Sequence, residues 1–193
     1  MSFLATRAGR YVKQAAGCNA FIPAPLPPDP PVQFDGAILA LLSRADQALG
    51  RLDGLAQTLR NPDLFVAMYV RREAVLSSQI EGTQSTLEDV LTFELDAKGR
   101  EFPKDVEEVV NYVRAMNYGL ERLATLPLSL RLIREIHAEL LRGVRGAHRQ
   151  PGEFRTSQNW IGPADAPLSE AAFIPPPVHE MREALENLER FLH

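Results

Sequence analysis

From Gly36 onward the apolar residues recur at helical rather than alternating intervals. Leu39, Leu42, Leu49, Leu52 and Leu55 fall three or seven apart, which predicts one or two amphipathic helices over about Gly36 to Leu59. Asn61-Pro62 is a start signal, with Asn as N-cap and Pro at the first helical position. Phe65, Met68, Tyr69, Val75, Leu76 and Ile80 carry the next helix from Leu64 to about Ile80, and Gly82 is its expected stop, because glycine tolerates the left-handed conformation that ends many helices. Ser85-Thr86-Leu87-Glu88 predicts a capping box that opens a helix through about Leu95. Pro103 introduces a longer helix with Val106, Val109, Val110, Val113, Met116, Tyr118 and Leu120 as apolar positions. Pro127 and Ser129 introduce another, Leu130 to Leu141, stopped at Gly143, and a last helix runs from about Val178.

Two stretches break this period. Six prolines lie between Pro23 and Pro31, and each fixes φ and removes an amide donor, so Phe21 to Pro31 is expected to be extended and cannot be helix. Phe21, Ile22 and Leu26 make it a strap that docks on the domain rather than a free linker; a proline-rich ligand for a partner domain is the other reading. From Gly146 to Pro177, Gly and Pro separate two β-like runs, Asn159-Trp160-Ile161 and Ala171-Ala172-Phe173-Ile174. The expected fold class is all-α, a helical bundle with one β-hairpin flap near residues 155–175.

The 193 residues suffice for one domain or two small ones. A net charge of −4 supplies no general attraction to phosphate backbones or anionic lipid, so neither nucleic acid nor membrane is expected as a partner. The single cysteine, Cys18, forms no internal disulfide, no run approaches the roughly 18 apolar residues of a membrane span, and no apolar segment follows Arg7 and Arg10. A cytoplasmic protein is the expectation.

His137, His148, His179 and His193 are never paired at the spacing that sets two imidazoles on one helix face, and neither a glycine-rich phosphate loop nor a Gly-x-Ser-x-Gly elbow is present. His137, among Ile133, Ile136, Leu140 and Leu141, is expected to be a partly buried structural histidine. One segment is more specific. Ser77 and Glu81 are four apart on one helix face, and Glu81 falls in the last turn, at the negative end of the macrodipole, where a carboxylate is disfavoured. A charge placed against a local rule marks a partner elsewhere; a solvated Glu beside a glycine cap is the plainer alternative.

Ser77-x-x-x-Glu81-Gly82 resembles the [ST]-x-x-x-E-[GN] inhibitory motif of Fic proteins, which transfer AMP from ATP to protein hydroxyls. Phe21-Ile22-Pro23-x-Pro25-Leu26-Pro27-Pro28 resembles the strap that precedes that region. Gly152 to Gly162 followed by Phe173-Ile174-Pro175-Pro176-Pro177 resembles the flap of the Fic core. The resemblance implies an N-terminal segment with the strap over 1–35, a Fic N-terminal region with the inhibitory helix over 36–100, and the first half of the Fic core over 101–193. The signature His-x-Phe-x-[Asp/Glu]-Gly-Asn-Gly-Arg occurs nowhere in the sequence, so this chain is expected to be the N-terminal half of such an enzyme, inactive alone. The resemblance further implies that Glu81, seated by Ser77 and Gly82, pairs with the Arg of that signature and blocks the γ-phosphate position of ATP. It implies that Asn159, Trp160 and Ile161 of the flap receive the target segment, although a lone tryptophan is as readily hairpin packing. ATP as substrate, magnesium with it, and a protein target or a second copy as partner complete these expectations. A non-catalytic helical module for protein interaction or regulation is the alternative function.

Overall fold

The computed structural model describes residues 7–14, 17–96, 101–103, 105–144, 150–163 and 167–193. Among them are six α-helices and one two-stranded antiparallel sheet, distributed over two compact units. His148 lies outside the described residues.

One unit comprises residues 34–127 and 131–153. It holds α1 (Gly36–Ala56), α2 (Pro62–Ile80), α3 (Leu87–Leu95), α4 (Val106–Arg122) and nearly all of α5 (Leu130–Leu140). The predicted boundaries of these helices recur to within a few residues, and their caps give the reason. The side chain of Asp35 accepts from the Ile38 amide at 2.9 Å, and that of Asn61 accepts from Leu64 at 3.0 Å. The core is a layer of small apolar side chains: Val70, Ala74 and Val75 of α2, Val90 of α3, and Val106, Val109, Val110 and Val113 of α4. Buried valines let α2, α3 and α4 approach closely, and each contributes roughly 1.5–3 kcal/mol when fully buried. Phe93 and Phe102 close one side, edge to face at 5.2 Å. No residue of α1 is buried.

The predicted capping box is shifted by one residue. Thr86, not Ser85, is the N-cap of α3, and Asp89, not Glu88, reciprocates. Asp89 Oδ2 accepts from the Thr86 amide at 2.8 Å, while Thr86 Oγ1 accepts from the Asp89 amide at 3.2 Å. Ser85 is drawn off by a distant partner: it is fully buried and donates to Asp105 at 2.9 Å.

The other unit comprises residues up to 33, Leu128–Leu130, and 154–193. Strands β1 (Gly9–Lys13) and β2 (Asn19–Pro23) pair antiparallel, with Tyr11 opposite Phe21 and Gly9 opposite Pro23. Glycine is required at Gly9, the first residue of β1, since φ is +152° and a Cβ there would stand 2.3 Å from the Ile22 carbonyl oxygen. The strap therefore begins as a strand, and beyond Pro23 it is free of helix up to Asp35. It is docked within its own unit. Ile22 is buried, Phe21 packs 6.1 Å from the Phe173 ring, and the Phe21 amide donates to the Ile174 carbonyl at 2.9 Å.

The flap is pared to one bridge, between Ile161 and Phe173, with the Ile161 amide donating to Phe173 at 2.9 Å. A longer ladder is denied by sequence: Pro163 and Pro175–Pro177 offer no amide, and Leu168–Glu170 form a 3-10 turn. Among the described residues the regular β-hairpin is β1–β2. Helix α6 (Val178–Leu192) follows, and with the hairpin it lines an apolar groove of about 660 Å³ that includes Ile22, Leu26, Met181 and Leu188.

Candidate functional site

Helix α2 ends in a Schellman motif. The Thr83 amide donates to the Ser78 carbonyl at 3.2 Å and the Gly82 amide to Gln79 at 3.0 Å, with Gly82 at φ +93°. This makes Glu81 the C-cap residue, at φ −85° and ψ 3°, and fixes where its side chain leaves the backbone. The motif follows from Gly82, the one residue here that takes the left-handed conformation without a Cβ penalty.

Ser77 and Glu81 share a face, yet the Ser77 hydroxyl turns the other way. It donates to Glu73 at 2.6 Å, one turn toward the N-terminus. Glu81 is exposed, and its carboxylate makes no hydrogen bond or ion pair among the described residues.

The carboxylate borders a pocket of about 340 Å³. Its walls are Ser77, Ser78, Glu81 and Thr83 from the end of α2, Glu108 and Tyr112 from α4, and Leu140, Leu141 and Val144 from the end of α5. Among the described residues, its walls bring together the carboxylates of Glu81 and Glu108. Thr83 Oγ1 is buried in this wall without a hydrogen-bond partner among the described residues. An unmet buried hydroxyl costs about 1–3 kcal/mol, so this wall carries an unsatisfied polar demand beside two acidic groups. Such a pocket suits a donor-rich cation, above all a guanidinium.

Both flanking helices are pinned. Asn111, buried in α4, donates to the Arg142 carbonyl at 2.7 Å, and Gly143 at φ +72° ends α5. At the other end of the α4–α5 pair, Glu135 accepts from Arg122 and Tyr118, each at 2.9 Å, and from Arg131 at 2.8 Å. Arg122 first, then Tyr118 and Arg131, hold its carboxyl down at about 2.

His137 is half-buried, and its Nδ1 accepts from the Gly152 amide at 2.9 Å, while Arg134 Nε donates to the Gly152 carbonyl at 2.7 Å. A residue in α5 thus holds each polar group of one peptide position. Arg155 donates to the Ser157 and Pro176 carbonyls, and burial lowers its pKa.

Asn159, Trp160 and Ile161 lie in the other unit, where Ile161 makes the isolated bridge to Phe173. Trp160 and Ile161 are 41% and 65% exposed, and the Asn159 carbonyl already accepts from the Gln158 side chain at 2.9 Å. Sequence reasoning missed Thr83, Glu108 and Tyr112 as neighbours of Glu81. Glu108 and Tyr112 are four apart on one face of α4, but nothing local says which helix end they meet. Among the described residues no three His, Cys, Asp or Glu side chains converge as metal ligands. No helix among them is long and apolar enough to cross a membrane.

Residues 39–121 match the N-terminal region of the Fic/DOC family. The matched segment contains Ser77, Glu81 and Gly82 and lies within the five-helix unit; the flap residues fall outside it. No curated protein matches the chain.

Proposed function

Because the chain carries a Fic/DOC family N-terminal region, we propose that it serves a Fic-type protein adenylyltransferase as the part that restrains catalysis, with Glu81 as the restraint. The observation that supports this reading is a carboxylate that leaves the chain at a helix C-cap, has no hydrogen-bond or ion-pair partner among the described residues, and borders a pocket that Glu108 also lines. A guanidinium from the Fic signature, which these 193 residues do not contain, fits that pocket. An Arg so engaged is withdrawn from phosphate, and Glu81 then stands where the γ-phosphate of ATP would sit. Two unit charges about 4 Å apart at an effective dielectric near 20 repel by roughly 4 kcal/mol before screening. ATP then binds with its α-phosphorus out of line for attack by a protein hydroxyl.

In this reading Ser77 does not hold Glu81 directly. Its bond to Glu73 stiffens the turn before the cap, and Gly82 sets the cap. The exposed side chains of Trp160 and Ile161 offer a target segment an apolar edge. Magnesium would accompany ATP on residues outside this chain.

The test is Glu81→Gly in the protein joined to a segment bearing the signature. AMP incorporation into self or target is expected to rise at least about tenfold, a deliberately screened fraction of the Coulomb term. Unchanged transfer with ATP binding intact would overturn the assignment of Glu81, and transfer by the 193 residues alone would overturn the division of labour.

A further inference from the structure

Glu81 shares its pocket with a second carboxylate that the helix-end motif does not include. Glu108, half-buried in the first turn of α4, lines the same space of about 340 Å³, and Tyr112 lines it one turn further along that helix. A tie adjacent to both acids fixes their relation. Asp105, one turn before Glu108, accepts the Ser85 hydroxyl at 2.9 Å and the amides of Gln84 and Ser85, just beyond the Glu81 cap. Ser85 is fully buried, so water does not compete for that bond. Between the cap and the tie stands Thr83, whose buried Oγ1 has no hydrogen-bond partner among the described residues. Like charges confined to one pocket repel, and a cation between them reverses the sign of that interaction.

We infer that Glu108 is a second acceptor for the cation that Glu81 holds, and that this cation is a guanidinium. The inference rests on the proposed role of Glu81 and extends the restraint to α4. A guanidinium carries five N–H donors in a planar fork, bonds two carboxylates at once, and lies with its face on an aromatic ring. An ammonium is a compact point charge without a flat face. Two carboxylates, a hydroxyl and a tyrosine around one space suit the former. Glu108 already has one interaction in the fold. A carboxylate accepts about four donors, so a further one is accommodated. The restraint then belongs to the end of α2 and the start of α4 together, and loss of either carboxylate weakens it.

The test titrates the 193-residue chain with blocked arginine, N-acetyl-arginine methylamide, and follows the amide NMR signals of Glu81, Thr83 and Glu108. Saturable shifts are expected with a Kd of roughly 1–20 mM, and blocked lysine should bind at least about fivefold more weakly. Glu81→Gln and Glu108→Gln, which keep the shape of the side chain, should each weaken arginine by about three- to tenfold. Glu107→Gln, in the same turn but outside the pocket, should change it by less than about twofold, because solvent screens an exposed charge. Glu108→Asp, which draws the carboxylate back by one methylene, should also weaken binding, and it replaces Glu108→Gln if that variant loses helical circular dichroism. Binding that Glu81→Gln weakens and the Glu108 variants leave unchanged overturns the role of Glu108 while sparing that of Glu81. An effect of Glu107→Gln equal to that of Glu108→Gln overturns it too, and equal binding of lysine and arginine overturns the guanidinium. No saturable shift up to about 100 mM arginine overturns the inference as a whole, and AMP transfer by Glu81→Gly then judges the restraint on its own.

Discussion

Asp105 stands at the N-cap of α4, yet its carboxylate serves the approach to another helix. It makes no capping bond to α4 and instead accepts the Ser85 hydroxyl at 2.9 Å and the amides of Gln84 and Ser85. Burial raises its pKa, and the bonds from Gln84, Ser85 and its own amide outweigh that, leaving it below the ordinary carboxylate value. The turn after Gly82 is thus tied to the start of α4 across about 20 residues.

Removing that tie should be costly in one direction. Asp105→Ala strands the buried Ser85 hydroxyl and two amides, and a loss of about 1–3 kcal/mol is expected in urea unfolding. Ser85→Ala, which leaves the amides their acceptor, should cost about 1 kcal/mol. Equal costs for the two would show that the amide bonds contribute nothing.

Glu135 gives the chain an acid-sensitive clamp between α4 and α5. A carboxyl depressed in the folded state contributes stability that is complete above its ordinary value of 4.5 and is lost as pH falls toward about 2. The unfolding midpoint should therefore drop more steeply between pH 5 and about 2.5 in the wild type than in Glu135→Gln. A carbon NMR titration that finds this carboxyl protonated at pH 4 would contradict the geometry.

The register of the α3 cap separates two neighbours. Thr86→Ala is expected to lower stability by about 1 kcal/mol, whereas Glu88→Ala, which lies outside the box, should stay within roughly 0.5 kcal/mol of wild type. Thermal melts of the two variants suffice, and the reverse ranking would restore the box at Ser85 and Glu88.

Two left-handed glycines should respond differently to alanine. At Gly82, φ +93°, an added Cβ meets nothing within 4 Å, so only backbone strain of about 1 kcal/mol is expected. At Gly152, φ +83°, the same atom lies 3.1 Å from the Arg134 carbonyl and 3.2 Å from Ala138 Cβ, and the cost should be larger, about 2–3 kcal/mol. Similar melting temperatures would mean that α5 yields at that point.

Helix starts and stops were legible because they are local: Asn61-Pro62, Gly82 and Gly143 each act on atoms within a turn. The cap of α3 was misplaced by one residue because Ser85 answers to Asp105, a partner that no local pattern names. Strand β1 went unread for the same reason, since Gly9–Lys13 becomes a strand only by pairing with β2. The flap shrank to one bridge where prolines withheld the donors. At the candidate site, spacing put Ser77 and Glu81 on one face, but which carboxylate the hydroxyl chose depended on rotamers. The pocket wall drawn from α4 and α5 depended on how those helices pack.

The bond from Phe21 to Ile174 has a consequence for synthesis. The unit holding the hairpin draws on residues before 34 and after 153, with the valine-centred helices encoded between them. A ribosome adding about 5–20 residues per second leaves the first strands waiting roughly eight to thirty seconds for their neighbours. The central helices can assemble in that interval. The stretch from Phe21 to Pro31, rich in apolar and proline residues, meanwhile exposes side chains that later residues go on to cover.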